Sequence, residues 1–338
     1  MELQKRVFEA IKLKIPKNVL LVEEVERVLG RGNDSAYRRI RCETELTISE
    51  LQKICEAFDL SIDDLLHNKS KIASFSYAPV VLSGEEDYIT YMSQMAKWLK
   101  DVAEYGVESE FLFTAQDIPF YHFTKYPELT FFKLFAWDDA ISPLKSSYRN
   151  FCKTINKERI IDLYKSIYHS FLHIPSKEIW SEQTINPILR LLEYYFSIEA
   201  LNKDDAMLLL DCLANLIKDL NQYADQGHKN DSKIPFSLYL CSVDLENNFM
   251  LIKKGNHLSC ILKLYSVNRI MTSNESLCFV THKWINSLIS KSNLISGNAA
   301  FRDRLYFFKT AKDKIQNLID KIESQVLPAN LRKTTFSN

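Results

Sequence analysis

The chain has 338 residues, and its 43 Lys+Arg balance its 43 Asp+Glu, giving a formal net charge of +0. Hydrophobic residues at 46% and aromatics at 12% can fill large buried cores, which excludes long disorder, and the length suits two domains. The neutral balance excludes a protein that coats nucleic acid nonspecifically, so any DNA contact would need a local basic patch.

Residues 3 to 13 place Leu3, Val7, Phe8 and Ile11 on one face and predict a first helix, ended by Pro16. Asn18 can cap a second helix from about Val19 to Leu29, whose apolar face is Leu21, Val22, Val25, Val28 and Leu29. Gly30 follows where a helix C-cap favours a residue tolerant of positive φ. The third helix spans Asn33 to Arg41. Ala36 and Ile40 form its thin buried seam, and Asn33, Asp34, Tyr37, Arg38 and Arg41 form its outer face. Thr47 to Phe58 repeats apolar residues at spacings of three and four, with Thr47 and Glu50 set as a capping box. Ser61 caps a last short helix ending at Leu66, with Asp63 and Asp64 in its first turn.

The run Leu29-Gly30, then Asp34-Ser35-Ala36-Tyr37-Arg38-Arg39-Ile40-Arg41 and Glu43, followed by LQKICEAFDLSIDDLL, resembles the lambda-repressor-like (Xre-type) helix-turn-helix domain. The resemblance covers about the first 70 residues. It implies a five-helix DNA-binding domain over 1–67 that sets the third helix in the major groove of double-stranded DNA. Two positions depart from the family pattern. Arg31 stands where an apolar residue is usual, and Gly32 replaces the usual Ser or Thr cap, leaving Asn33 as the candidate cap. The expected interface is Arg31, Asn33, Asp34, Tyr37, Arg38, Arg39 and Arg41. Tyr37 and Arg38 are assigned to base edges, and Arg31, Arg39 and Arg41 to phosphate. Glu23, Glu24 and Glu26 on the preceding helix offset this patch, so nonspecific affinity should be modest.

Residues 68–84 read as a linker with an extended stretch from Phe75 to Leu82. From Glu85 to Tyr105, Tyr88, Met92, Met95, Leu99 and Val102 fall at heptad spacing. This fits either a helix packed on its own domain or one that forms a homodimer. Phe111 to Phe123 is a buried strand or connector. Helices are expected over Pro127–Ile141, Lys157–His173, Ser181–Leu201 and Lys203–Ala224. Phe236–Val243 and Phe249–Lys253 around a polar turn read as a β-hairpin, with Leu258–Tyr265 as a third strand and Glu275–Thr281 as a fourth. Trp284–Ile289 reads as helix, Asn298–Ile322 as a long closing helix, and Pro328–Asn338 as a tail. The whole is expected to be mainly α. Residues 85–330 would form a mostly helical dimerisation or sensor domain with a small antiparallel β-sheet (α+β) near 236–281.

Phosphate-cradling and nucleophile motifs are absent from the sequence, and 7 glycines leave little room for them. The chain is therefore expected not to be an enzyme and to need no cofactor. His169 and His173, at i and i+4, could chelate a metal with His122 or Asp138, but a structural role is commoner and no metal is assigned. The seven cysteines, Cys42, Cys55, Cys152, Cys212, Cys241, Cys260 and Cys278, lack a CxxC pair and suit reduced thiols. With no leader-like start and no run of about 20 apolar residues, the expected place is the prokaryotic cytoplasm, on the nucleoid when bound. The expected function is a dimeric, sequence-specific regulator of transcription, with a small molecule or a protein as effector. The alternative is a protein-interaction scaffold.

Overall fold

The computed structural model describes residues 2–15, 19–58, 60–66, 73–77, 85–141, 147–229, 233–243, 245, 248–264 and 268–325. Pro16, Asn18, most of the linker, the turn residues Asp244, Glu246 and Asn247, Tyr265 and the tail from Pro328 lie outside the described residues.

Five helices form the front unit: α1 (Glu2–Lys14), α2 (Leu21–Leu29), α3 (Asn33–Ile40), α4 (Ile48–Phe58) and α5 (Ile62–Leu66). Their apolar faces close on a core of their own, built on Val7, Phe8, Ile11, Val22, Val25, Leu29, Ala36, Ile54 and Phe58. Each buried Val, Leu, Ile or Phe among them contributes about 1.5–3 kcal/mol relative to exposure. Gly30 ends α2 at φ +60°, donating its amide to the Glu26 carbonyl at 2.9 Å, as its C-cap position requires.

The rest of the chain corrects the expectation of a mainly helical domain with a small antiparallel sheet: it is an α/β unit built on a mixed sheet of nine strands among the described residues. In chain order the elements are β1 (Ser76–Tyr77), α6 (Glu85–Ala103), β2 (Ser109–Ala115), α7 (Phe120–Phe123), α8 (Pro127–Ile141), α9 (Tyr148–Thr154), α10 (Lys157–Leu172), β3 (Ser176–Trp180), α11 (Asn186–Ser197), α12 (Lys203–Gln226), β4 (His228–Lys229), β5 (Ile234–Leu240), β6 (Phe249–Lys254), β7 (His257–Lys263), β8 (Arg269–Thr272), α13 (Glu275–Ser290), β9 (Asn293–Leu294) and α14 (Phe301–Gln325). The strand order is β1-β8-β7-β6-β2-β3-β5-β4, with β9 also paired to β5. β2, β3 and β5 run parallel, while β6, β7, β8 and β1 add on antiparallel.

Two expected strand assignments change. Phe236–Leu240 and Phe249–Lys254 do not form a hairpin, because β3 and β2 lie between them. The hairpin is β6–β7, closed by Gly255 and Asn256 with Gly255 at φ +60°. Glu275–Thr281 is the start of α13, where the Asn274 side chain accepts the Leu277 amide at 3.0 Å; the fourth strand is Arg269–Thr272 instead.

The sheet is covered on both faces. Phe111, Phe113, Trp180, Phe236, Met250 and Ile261 face the large core with α6, α8, α10, α12 and α14. Leu112, Ile179, Leu251 and Cys260 face the other way, against Cys278 and Ile285 of α13. Strands buried on both faces do not alternate in polarity, which is why Phe111–Phe123 gives no clear strand signal; Ser176–Trp180 gives none because Lys177 and Glu178 interrupt it. The heptad stripe of α6 is occupied by its own domain: Tyr88, Met92, Met95, Leu99 and Val102 are buried in the large core, and the Tyr88 and Tyr164 hydroxyls bond at 2.6 Å. That stripe is therefore not available as a seam between two copies.

Candidate nucleic-acid interface

Helix α3 is anchored by few residues, and each anchor points inward. Ala36 is fully buried between neighbouring helices. Arg39 donates Nε to Glu50 Oε2 at 3.2 Å and Nη2 to Oε1 at 2.9 Å, and its Nη1 reaches the Ser35 carbonyl and hydroxyl at 3.2 and 2.6 Å. Glu50 in turn accepts the Thr47 amide at 3.1 Å, and its own amide donates to Thr47 Oγ1 at 3.2 Å, which is the expected capping box. Burial alone would push the Glu50 carboxyl up, but the bonds from Arg39 and the Thr47 amide, with the charges of Arg39 and Arg31, hold it below the usual carboxylate range.

The far end of α3 is tied to α1. Buried Gln4 donates Nε2 to the Arg39 and Thr44 carbonyls at 2.7 and 2.8 Å and accepts the Leu46 amide at 3.0 Å. Cys42 turns the chain out of the helix at φ +61°, a left-handed conformation usually left to glycine.

The expected interface residues divide accordingly. Tyr37, Arg38 and Arg41 are exposed on the outer face, with the Arg41 guanidinium 5.5 Å from the Tyr37 ring centroid. The Arg38 guanidinium has no carboxylate at ion-pair distance among the described residues. Arg31 is exposed in the turn, with Nε 3.7 Å from Glu50. Asn33 and Asp34 are exposed in the first turn. Asn33 is not the cap: the extended residue before the helix is Gly32, and Asn33 Nδ2 bonds Glu26 of α2 at 3.3 Å. Arg39 changes role, since four of its five N–H donors are held inside the fold, which leaves it a positioning residue. The sequence carried that signal in Glu50, read only as half of a capping box.

One charged cluster escaped the sequence reading. Glu178, fully buried on β3, accepts from His122 Nε2 at 2.9 and 3.0 Å and from Trp180 Nε1 at 3.0 Å. Lys229 of β4, equally buried, donates to the Phe171 and Ile174 carbonyls at 3.2 and 2.9 Å and lies 3.4 Å from the Phe171 ring centroid. Burial pushes the ammonium down to about 7, against the opposing charge of Glu178. The Glu178 carboxyl is raised by burial, yet His122 and Lys229 hold it below its ordinary value. His122 is thus bonded to Glu178, while His173 Nδ1 bonds the His169 carbonyl at 2.8 Å. Among the described residues no group of three or more His, Cys, Asp or Glu is placed to hold a metal. No helix among them is long and apolar enough to cross a membrane.

Comparison of the chain with protein-family models, curated proteins and solved structures gives no match in any of the three.

Proposed function

We propose that the chain is a sequence-specific DNA-binding regulator of transcription that reads the major groove with α3. The observation that carries this reading is the division of labour on one short helix. Ala36 and Arg39 fix it from behind, while Tyr37, Arg38 and Arg41 stand in solvent. A helix held rigidly, with an outward arginine that has no carboxylate at ion-pair distance among the described residues, suits bidentate contact to a guanine edge. Arg31 and Arg41 flank it as phosphate contacts, which position without specifying. One such helix makes few contacts, so the reading includes a homodimer on two half-sites, joined through a surface other than the α6 stripe.

Selection of bound sites from a random duplex library tests this. The expected product is an enriched palindrome, and Arg38→Ala lowers discrimination at one base position by about 1–3 kcal/mol. A library that emerges unenriched rejects sequence-specific binding. A second reading, a protein-interaction scaffold, is favoured by the apolar side chains that α13 and α14 expose, Phe279 at 65%, Val280 at 58% and Phe301 at 64%. Salt separates the two: phosphate contact weakens steeply as salt rises, whereas apolar docking does not.

A further inference from the structure

Between α6 and the large-core face of the sheet lies an apolar cleft with about 720 Å³ of empty space, part of it open to solvent. Its body is Met92 and Met95 of α6, Phe113 of β2, Met250 of β6, Ile261 of β7 and Tyr121 of α7. Two cations and one carboxylate line it: Lys263, Arg269 and Asp117. Asp117 is matched from within the fold, with Oδ2 2.5 Å from Lys133 Nζ and 3.4 Å from Lys263 Nζ. Burial would raise its carboxyl, and those two ammonium groups hold it below its ordinary value, so it stays ionised.

Arg269 has no such match. Its guanidinium lies 5.6 Å from the Tyr91 ring centroid and 5.3 Å from that of Trp98, and no carboxylate among the described residues comes within ion-pair distance. Stacking on two rings holds the cation in place and leaves its N–H edge for an acceptor. One further donor faces the cleft: the hydroxyl of buried Tyr121 makes no hydrogen bond to a described residue. A thioether- and ring-lined cleft with one uncompensated guanidinium is matched by a molecule of opposite form, an apolar body with a single negative head.

We propose that this cleft binds a small apolar monocarboxylic acid, its carboxylate paired with Arg269 and its hydrocarbon body between α6 and the sheet. The inference is independent of the DNA reading, because binding is measured without DNA. Full-length chain is titrated with decanoate, 1-naphthoate, decanol and decyltrimethylammonium, each displacing a fluorescent apolar probe. At least one of the two acids binds at least tenfold more tightly than decanol or the cation. Arg269→Gln lowers acid affinity at least tenfold and leaves decanol within threefold, while Arg269→Lys keeps most of the acid affinity. Calorimetric midpoints show that the variants are folded. Equal binding of acid and alcohol, undiminished acid binding in Arg269→Gln, preference for the cation, or failure of all four to bind each overturns the assignment.

Discussion

Arg39 and Glu50 form a two-point ion pair that joins the outward helix α3 to α4 behind it, with both bonds at 3.2 Å or less. Side-chain exposures of 12% and 9% keep water from screening it. Removing either member leaves a largely buried charge uncompensated, so Arg39→Met and Glu50→Gln should each destabilise the front unit by about 3 kcal/mol. Arg38→Ala should change its stability by less than about 0.5 kcal/mol. The four tryptophans, Trp98, Trp137, Trp180 and Trp284, all lie beyond residue 85, so calorimetry rather than fluorescence must report on this unit. Equal midpoints for the Arg38 and Arg39 variants would contradict the division between a reading and a positioning arginine.

Acid should loosen the same joint. A carboxyl held below its ordinary value stabilises the fold at any pH above the unfolded value, and that stability disappears as pH falls through the lower, folded value. The front unit should therefore lose stability below the ordinary Glu value of 4.5. In Glu50→Gln the calorimetric midpoint should be lower at neutral pH and should fall less between about pH 5 and pH 3. Parallel acid profiles for the two proteins would remove Glu50 as the source.

Salt dependence of duplex binding should count the outward arginines. Each phosphate-neutralising side chain contributes about 0.9 to the slope of log affinity against log salt. Arg31→Ala and Arg41→Ala should each lower the slope by about that amount per bound copy. An Arg39 variant, measured under conditions where it is folded, should keep the wild-type slope, because its guanidinium is bonded inside the fold. A reduced slope for Arg39 would return it to the interface.

The front unit was legible because its signals are local. Gly30 at a helix end, Thr47 three residues before Glu50, and apolar residues every three or four positions each act within one turn of chain. The Arg39–Glu50 pair joins two helices, and no periodicity announces it. The second unit is less legible for a related reason. Ser176–Trp180 carries Glu178 at its centre, and partners distant in sequence, His122 56 residues earlier and Lys229 on β4, make a carboxylate tolerable in a middle strand. Phe236–Leu240 and Phe249–Lys254 are neighbours in sequence and look like a hairpin, yet their partners are β3 and β2. The heptad stripe of α6 was seen correctly as apolar. Its spacing could not say whether the surface facing it belonged to this chain or to a second copy.

The cleft and the segment leading to the front unit share a strand. Arg269 begins β8, and β8 pairs with β1 through Ile270 opposite Tyr77 and Met271 opposite Ser76, with Ser76 Oγ donating to the Met271 carbonyl at 3.2 Å. A carboxylate held by Arg269 should steady β8 and therefore the short strand paired with it. Amide hydrogen exchange at residues 76–77 and 269–272 should slow several-fold with decanoate or 1-naphthoate bound, while residues 33–40 keep their rates. Unchanged exchange at 76–77 with a saturated cleft would show that β1 does not sense it.

Lys229 should make the stability of the α/β unit depend on pH in the alkaline direction. Its ordinary value is 10.5, and burial lowers it to about 7 in the fold. Between those two values the unfolded chain holds a proton that the folded chain has released, so stability rises with pH across that window. Below about 7 both forms are protonated, and the fold carries the full desolvation penalty of a buried ammonium, offset only in part by Glu178, the two carbonyls and the Phe171 ring. Lys229's share of the slope should approach 1.4 kcal/mol per pH unit at most. The measurement belongs below about pH 8.5, because burial also raises the thiols of Cys152, Cys212 and Cys260 above their ordinary 9.0 and the hydroxyls of Tyr88 and Tyr121 above 10.0, and such groups lower stability as pH climbs past those values. Lys229→Met should remove Lys229's share of the slope while keeping the contact with Phe171, and leave the shares of Lys133, Lys254 and Lys314, which burial also lowers. Denaturant titrations followed by tryptophan fluorescence read this directly, because Trp180 is bonded to Glu178 in the same cluster. Identical slopes in the two proteins would mean that Lys229 stays charged in the fold and that its neighbours fully compensate its burial.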